Sequence, residues 1–600
     1  MASPPAPPPP AELSPLVALY QAGHYSEAEN NTCLLLERYP SFGFGWKLLG
    51  ACLERQGKEV LPAFQHAVQC LPLDAEARNN LGFALHELGR FAEAEASCRR
   101  AIALRPNFAE AYNNLGNALN DSGQASEALV CYQKAISIKS NFVEAHHNLG
   151  NALNMLGRTN DAILSYRHAL QFAPDFGIVH SDLLFSMGYT AQSTPGDYLA
   201  EALRFGAMVD KNVTTKFSTW QCEPHPPKLR VGIASGDLCS HPVGYFTESL
   251  LGQLNSLSIE LIAYTNNPGE DDLTAHIRPH FSQWREVFSL NDPATAQLIH
   301  KDGVHVLLDL SGHTAKNRLP VFAWKPAPVQ ATWLGYFAST GVAEIDYLLA
   351  DAHMVPSIDE SHFTETIWRL PSSYLCFTPP DVELTVEPIP ALSTGQITFG
   401  CFNNLTKVND AVIALWARVL LAIPNSRLFL KTLQLNDVGV CDTTRQKFAA
   451  QGVTGDRLCL EGSSPRAELL AAYQRVDIAL DPFPYPGGTT TCEALWMGVP
   501  MLTKRGDRFL SHMGESILHN AGLPDWIAQD EDDYVAKAIQ FAGDLPKLAA
   551  LRAGLREQVL TSPLFDASRF AKHFEEALWG MWQAKQPALA GALQPPPSKH

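Results

Sequence analysis

The sequence predicts an α-helical repeat superhelix followed by an α/β region in two halves, and three observations point to it. The pair Leu-Gly recurs every 34 residues, at Leu81-Gly82, Leu115-Gly116 and Leu149-Gly150, each inside the same frame. From Leu229 onward, short apolar runs of strand length alternate with helical patterns. A proline-bearing stretch, Pro371–Ser393, reads as a linker that divides this alternation into two series.

Residues 3–10 are nearly all proline and alanine, so 1–10 are expected to form a disordered leader. Residues 11–180 hold the repeats. The strict frames read NNLGFALHELGRFAEAEASCRRAIALRPN, NNLGNALNDSGQASEALVCYQKAISIKSN and HNLGNALNMLGRTNDAILSYRHALQFAPD, after two looser frames at Leu16–Pro40 and Leu48–Pro72. This pattern resembles the tetratricopeptide repeat, a helical hairpin that stacks into a protein-binding superhelix. Asn80, Asn114 and Asn148 directly precede the three Leu-Gly pairs. One amide per hairpin makes a ladder, which suits either the backbone of an acceptor peptide or hydrogen bonding between repeats. Over 181–228 the period fades into a helical joining segment, with helices at Asp182–Gly188 and Tyr198–Met208. Pro224-His225-Pro226-Pro227 then sets a boundary near Lys228.

The two α/β halves are expected at 229–385 and 386–585. Strands are predicted at Leu229–Ala234, Ser258–Thr265 and Val304–Leu310 in the first. In the second they fall at Ile397–Phe402, Arg427–Lys431, Leu458–Leu460, Ile478–Leu480 and Pro500–Thr503. Such alternation implies parallel sheets that bind ligands at the carboxyl ends of their strands. Two Rossmann-like halves facing each other across a cleft resemble the GT-B architecture of glycosyltransferases. The helical run Ala567–Trp582 is suited to cross back to the first half, and 586–600 reads as a disordered tail.

The most informative stretch is FPYPGGTTTCEALWMGVP, Phe483–Pro500. Gly487 and Gly488 allow close backbone approach to a ligand. Thr489, Thr490 and Thr491 fall at a helix start, where unpaired N–H groups and the helix dipole favour phosphate. Glu493 lies a turn further in, placed to accept from sugar hydroxyls. Three other strand ends carry polar groups: Ser235–Pro242 with His241, Leu310–Thr314 with His313, and Thr398–Lys407 with Asn403, Asn404 and Lys407. Each histidine reads either as a base or sugar contact or as a capping and packing residue. Lys407 suits a diphosphate as a point charge, and Arg466 is a fourth candidate, for a nucleotide base or phosphate.

With 45 Lys and Arg against 62 Asp and Glu, the net charge is −17, which disfavours nucleic acid or an anionic membrane as the main partner. No run of about 18 apolar residues suggests a membrane span. The 12 cysteines form no CxxC pair, and a cytoplasmic location without disulfides is expected. No metal site and no cofactor is expected either, since Asp530-Glu531-Asp532 reads as a solvated helix start.

Repeats and cleft motifs together resemble the protein O-linked glycosyltransferases of the O-GlcNAc transferase and SPINDLY group, over nearly the whole chain. The resemblance implies that Lys407 stabilises the nucleotide leaving group, with Asn404 as the neighbouring amide. Thr489 and Thr490 become the helix-start threonines, Glu493 the ribose-binding acid, His241 the histidine after the first strand, and Arg466 the basic residue near the base. Animal members carry His-Thr-Thr where this chain has Gly488-Thr489-Thr490, an aspartate in place of Glu493, and a histidine in place of Leu469. The strings SGHTAKNRL, CFNNLTK and GGTTTCE are closer to the SPINDLY branch, whose plant members use GDP-fucose. The implied function is inverting transfer of N-acetylglucosamine from UDP-GlcNAc to Ser or Thr of proteins held by the repeats. GDP-fucose as donor and a catalytically idle scaffold are the alternatives.

Overall fold

The computed structural model describes residues 8–254, 258–589 and 591–593. The chain divides into two compact units, Met1–Pro174 and Asp175–His600. The first contains five antiparallel helical hairpins, beginning with Pro10–Gln21 and Tyr25–Arg38 and ending with Val143–Met155 and Thr159–Phe172. The Leu-Gly period has a packing cause. A Cβ on Gly116 would lie 2.5 Å from the Tyr132 ring, and one on Gly150 would lie 2.4 Å from that of Tyr166. Three hairpins thus close by laying an aromatic ring of the second helix on the bare backbone of the first, Phe64 on Gly50 being the third, whereas Gly82 faces the smaller Cys98. Residues 1–7 of the expected leader lie outside the described residues, and Pro10 already begins a helix.

The second unit carries two parallel sheets. The first contains β1 (Leu229–Ser235), β2 (Ile259–Thr265), β3 (Gln283–Glu286), β4 (Val306–Asp309), β5 (Val329–Thr332), β6 (Tyr347–Ala350) and β7 (Thr366–Arg369), in the order β3-β2-β1-β4-β5-β6-β7. The second contains β8 (Ile397–Cys401), β9 (Ser426–Lys431), β10 (Leu458–Glu461), β11 (Ile478–Leu480), β12 (Met501–Lys504) and β13 (Ile527–Ala528), in the order β10-β9-β8-β11-β12-β13. Both are doubly wound, and in both the strand order reverses between the first and fourth strands. That crevice is where such sheets bind ligands. Helix Ala567–Lys585 does return to the first half: Trp333 meets Phe574 at 4.7 Å, and Trp579 Nε1 donates to Ser258 Oγ at 2.9 Å.

Three expectations are corrected. The joining segment is no separate piece, because helices Gly177–Met187 and Pro195–Lys211 belong to the α/β unit, which begins at Asp175 rather than near Lys228. A Cβ on Gly206 would sit 1.8 Å from Gly341 O, so the second of these helices rests directly on a first-half loop. Pro371–Ser393 is no open linker: Tyr374, Leu375, Cys376 and Phe377 are buried, and Phe377 N donates to Leu564 O. Nor is the start of the tail free, since Trp220 N donates to Ala592 O and Gln586 Nε2 to Pro224 O. Residues 590 and 594–600 lie outside the described residues. All twelve cysteines are free, and no described helix is long and apolar enough to cross a membrane.

Candidate active site

The loops after β1, β4, β8 and β11 meet at a cavity of about 260 Å³. His241 and Thr314 line it from the first half, and Asn403, Asn404, Lys407, Tyr485, Gly488, Thr489 and Thr490 from the second. A comparable cavity of about 240 Å³ is lined by Trp526, Phe541 and Leu548, among others, but it lies on helices of the second half and gathers none of these loops.

Lys407 is the centre of the second-half wall. Its Nζ donates to Pro486 O at 2.8 Å and Asn403 Oδ1 at 3.3 Å, and lies 3.9 Å from the centroid of the Tyr485 ring. The side chain is reachable from the cavity, yet its ammonium is enclosed by protein. Burial therefore pushes it below the ordinary lysine range to about 8, against the opposing pull of Asp481. Asp481, at the end of β11, is fully buried and burial raises its carboxyl. It accepts from Gly487 N at 2.6 Å and Thr503 Oγ1 at 2.8 Å, which fastens the glycine turn to the sheet.

The turn itself divides its groups. Thr490 Oγ1 donates to Asn403 Oδ1 at 3.0 Å, the same oxygen that accepts from Lys407. Among the described residues no acceptor takes the N–H of Gly488, Thr489 or Thr490, and Thr489 Oγ1 is buried without a partner. These are the groups left for an anion at the start of helix Thr489–Trp496. Two expected donor contacts are corrected. Gly487 N is occupied by Asp481, and the buried Thr491 hydroxyl donates to Gly487 O at 3.0 Å, so both shape the turn rather than face the cavity.

Glu493 is buried one turn into that helix, and Arg466 Nη2 lies 3.0 Å from its Oε1. Burial raises the Glu493 carboxyl to about 7, with Arg466 opposing. The Arg466 guanidinium also lies 3.7 Å from the Tyr245 ring of the first half. Asn404 is exposed at the cavity rim, where its Oδ1 accepts from Thr406 N and Gln434 Nε2. The amide that joins Lys407 to the turn is therefore Asn403, which its burial at 4% exposure marks and its neighbour obscures. Asp481, Tyr485 and Tyr245 join the site from positions that no motif singles out. An acid closing a buried apolar strand was the one available signal for Asp481.

His241 lines the opposite wall. Burial holds its imidazole below the usual histidine range, with Asp237 Oδ2 at 3.8 Å opposing. His313 is corrected: it does not line the cavity. Its Nδ1 pairs with Ser181 Oγ at 3.0 Å, its Nε2 with Thr340 O at 2.9 Å, and burial lowers it to about 4. One nitrogen holds helix Gly177–Met187 and the other a loop of the first half, so no proton can move through this ring without breaking a buried contact. His313→Ala is expected to destabilise the fold by about 1–3 kcal/mol while leaving kcat of the folded fraction nearly intact. Denaturant melts beside active-site-normalised rates would check this.

In the first unit, Asn114 Nδ2 donates to Asn79 Oδ1 at 3.0 Å, and Asn148 Nδ2 to Asn113 Oδ1 at 3.1 Å and Asn117 Oδ1 at 3.0 Å. These bonds run between successive repeats. Asn80, Asn114 and Asn148 remain partly exposed.

The family model for glycosyl transferase family 41 matches residues 207–378 and 377–574, and tetratricopeptide models match within 75–176. The chain is 37% identical over 415 residues to a probable UDP-N-acetylglucosamine–peptide N-acetylglucosaminyltransferase SPINDLY of Solanum lycopersicum, covering 67% of this chain and 44% of that one. It is 29% identical over 365 residues to the SEC protein of Arabidopsis thaliana, described in the same terms, covering 59% and 37%. The chain thus spans less than half the length of these curated relatives. Among solved structures, a lysine-to-methionine variant of the O-GlcNAc transferase of Thermobaculum terrenum superposes with a TM-score of 0.79 at 34% identity, covering 86% of this chain and 98% of that one.

Proposed function

Because the chain belongs to glycosyl transferase family 41, we propose that it is a protein O-glycosyltransferase. It transfers N-acetylglucosamine from UDP-GlcNAc, with inversion, to Ser or Thr hydroxyls of proteins held by its repeats. One observation carries the reading: the Lys407 ammonium and the free amides of Gly488, Thr489 and Thr490 line one cavity at facing strand ends. A departing diphosphate needs such a preorganised set of donors, and a fixed ammonium with main-chain amides supplies it without a metal ion. Glu493 binds the ribose, with Arg466 on the base side. His241, on the opposite wall, orients the acceptor hydroxyl for attack at the anomeric carbon, on the face away from the diphosphate. The Asn80, Asn114 and Asn148 ladder serves the acceptor backbone with whatever amide capacity the inter-repeat bonds leave. Free thiols throughout fit a reducing, cytoplasmic setting.

Thermal unfolding with UDP-GlcNAc, GDP-fucose, UDP-glucose, UDP and GDP tests the donor. UDP-GlcNAc and UDP are expected to raise Tm, by about 2.7 kcal/mol of stabilisation at a hundred times Kd. A shift with GDP-fucose and GDP alone would replace the donor, and no shift with any nucleotide would leave only the scaffold.

A further inference from the structure

Outside the cleft, His353, Glu515 and His519 bring one ligand atom each within 4.8 Å of one another. We propose that these three side chains form a site for a divalent transition-metal ion of the zinc type, one that clamps the two halves of the α/β unit together. His353 stands in the loop after β6 of the first half, whereas Glu515 and His519 stand one turn apart on helix Met513–Asn520 of the second. An ion held by all three therefore crosses the cleft. Two imidazoles and one carboxylate form a ligand set typical of zinc, which leaves the fourth position to water.

The framework under these ligands is already locked. Asp351, buried at 1% exposure, accepts from His353 N at 2.8 Å and Met354 N at 2.9 Å through one oxygen. Through the other it accepts from Ser516 Oγ at 2.5 Å, on the helix that carries Glu515 and His519. One buried carboxylate thus pins both ligand-bearing elements at a fixed separation.

The two oxygens of Glu515 are divided in the way a metal ligand requires. Oε2 is held by His512 Nδ1 at 3.1 Å and Arg505 Nε at 3.4 Å, and His512 Nε2 is in turn 3.4 Å from Asp359 Oδ2. Oε1 faces His519 Nε2 at 3.9 Å. Two ligands of a tetrahedral zinc ion stand roughly 3.4 Å apart, so the Glu515–His519 pair needs only a small closure. Partners on the outer oxygen fix the carboxylate, as outer-shell groups do in metal sites. The His353 and His519 rings lie stacked at 4.1 Å and 10°. Parallel rings cannot aim both lone pairs at one ion, so binding turns His353 out of the stack.

The site is distinct from the donor cavity but joined to it, because Met513, two residues before Glu515, lines that cavity. The test is zinc and cobalt titration of the whole chain, followed by calorimetry and thermal unfolding, beside His353→Ala and His519→Ala. One ion per chain, a raised Tm, and a loss of at least about tenfold in affinity in either variant are expected. Cobalt spectra should lack sulfur-to-metal charge transfer. Equal affinity in both variants, sulfur-to-cobalt bands showing capture by cysteines, or no binding at all would each overturn the proposal. His353→Ala lies outside any helix, so a folded variant is available should His519→Ala misfold. Nucleotide binding is not part of the readout, so failure here leaves the transferase reading standing.

Discussion

Lys407→Ala is expected to lower kcat for transfer by about 10²–10³-fold, with the fold and the repeats intact. Its loss costs the scaffold little: it donates to Pro486 O and Asn403 Oδ1, Asn403 keeps its bond from Thr490 without it, and Pro486 O alone gives up this donor. What disappears is the one positive charge among the described residues on this wall of the cavity. Rates under saturating UDP-GlcNAc, with circular dichroism of the same sample, decide the matter, and turnover within a few-fold of wild type would remove Lys407 from the mechanism. The same side chain sets a pH signature. In the donor-free enzyme Lys407 loses its proton as pH rises through about 8, so kcat/KM for the donor should decline above that point. The effect on stability has the opposite sign. Between about 8 in the fold and the ordinary 10.5 of the unfolded chain, the unfolded state binds the extra proton, so this residue's contribution to stability rises with pH across that window. A rate limb falling above pH 8 that survives Lys407→Ala would belong to another group.

Gly487→Ala should abolish donor binding by a purely steric route. A Cβ there would lie 2.4 Å from Thr490 Oγ1, 2.6 Å from Thr491 Oγ1 and 3.1 Å from Asn403 Nδ2. The two threonine hydroxyls belong to the bonds that shape the turn, and Thr490 is the link through Asn403 Oδ1 to Lys407. Relief of the clash must move the helix start or eject the Thr490 hydroxyl, at a cost of about 1–3 kcal/mol. The expected result is a lower Tm and no further shift on adding UDP. A variant that binds UDP normally would show that the turn does not hold the diphosphate.

Much of this site was legible from residue order because strand ends are legible. A buried parallel strand is a short apolar run, and the polar residues that follow it must face the ligand end of the sheet. That reasoning led to His241, Lys407 and the Gly487–Thr491 turn. It also led to His313, which follows β4 just as directly, yet a helix from outside the sheet covers it. Asn403 and Asn404 are adjacent and chemically identical, and only burial separates the one bonded to Lys407 from the one at the rim. Five short strands, β3, β5, β6, β7 and β13, were not foreseen. Edge strands β3 (QWRE) and β7 (TIWR) carry charged residues and β13 is two residues long, so no apolar run marks them.

Residue order therefore suffices for the helical repeats, the two doubly wound halves and the amine and amide cluster, since each rests on spacing within a few turns or one strand end. The folded chain alone decided which polar groups are spent on the scaffold and which stay open to a ligand. Ser181 and Thr340 occupying His313, and the Asp351 pin across the halves, are contacts between distant segments. A buried donor has only as many hydrogen bonds as its geometry allows, and which partner takes them is settled when those segments meet.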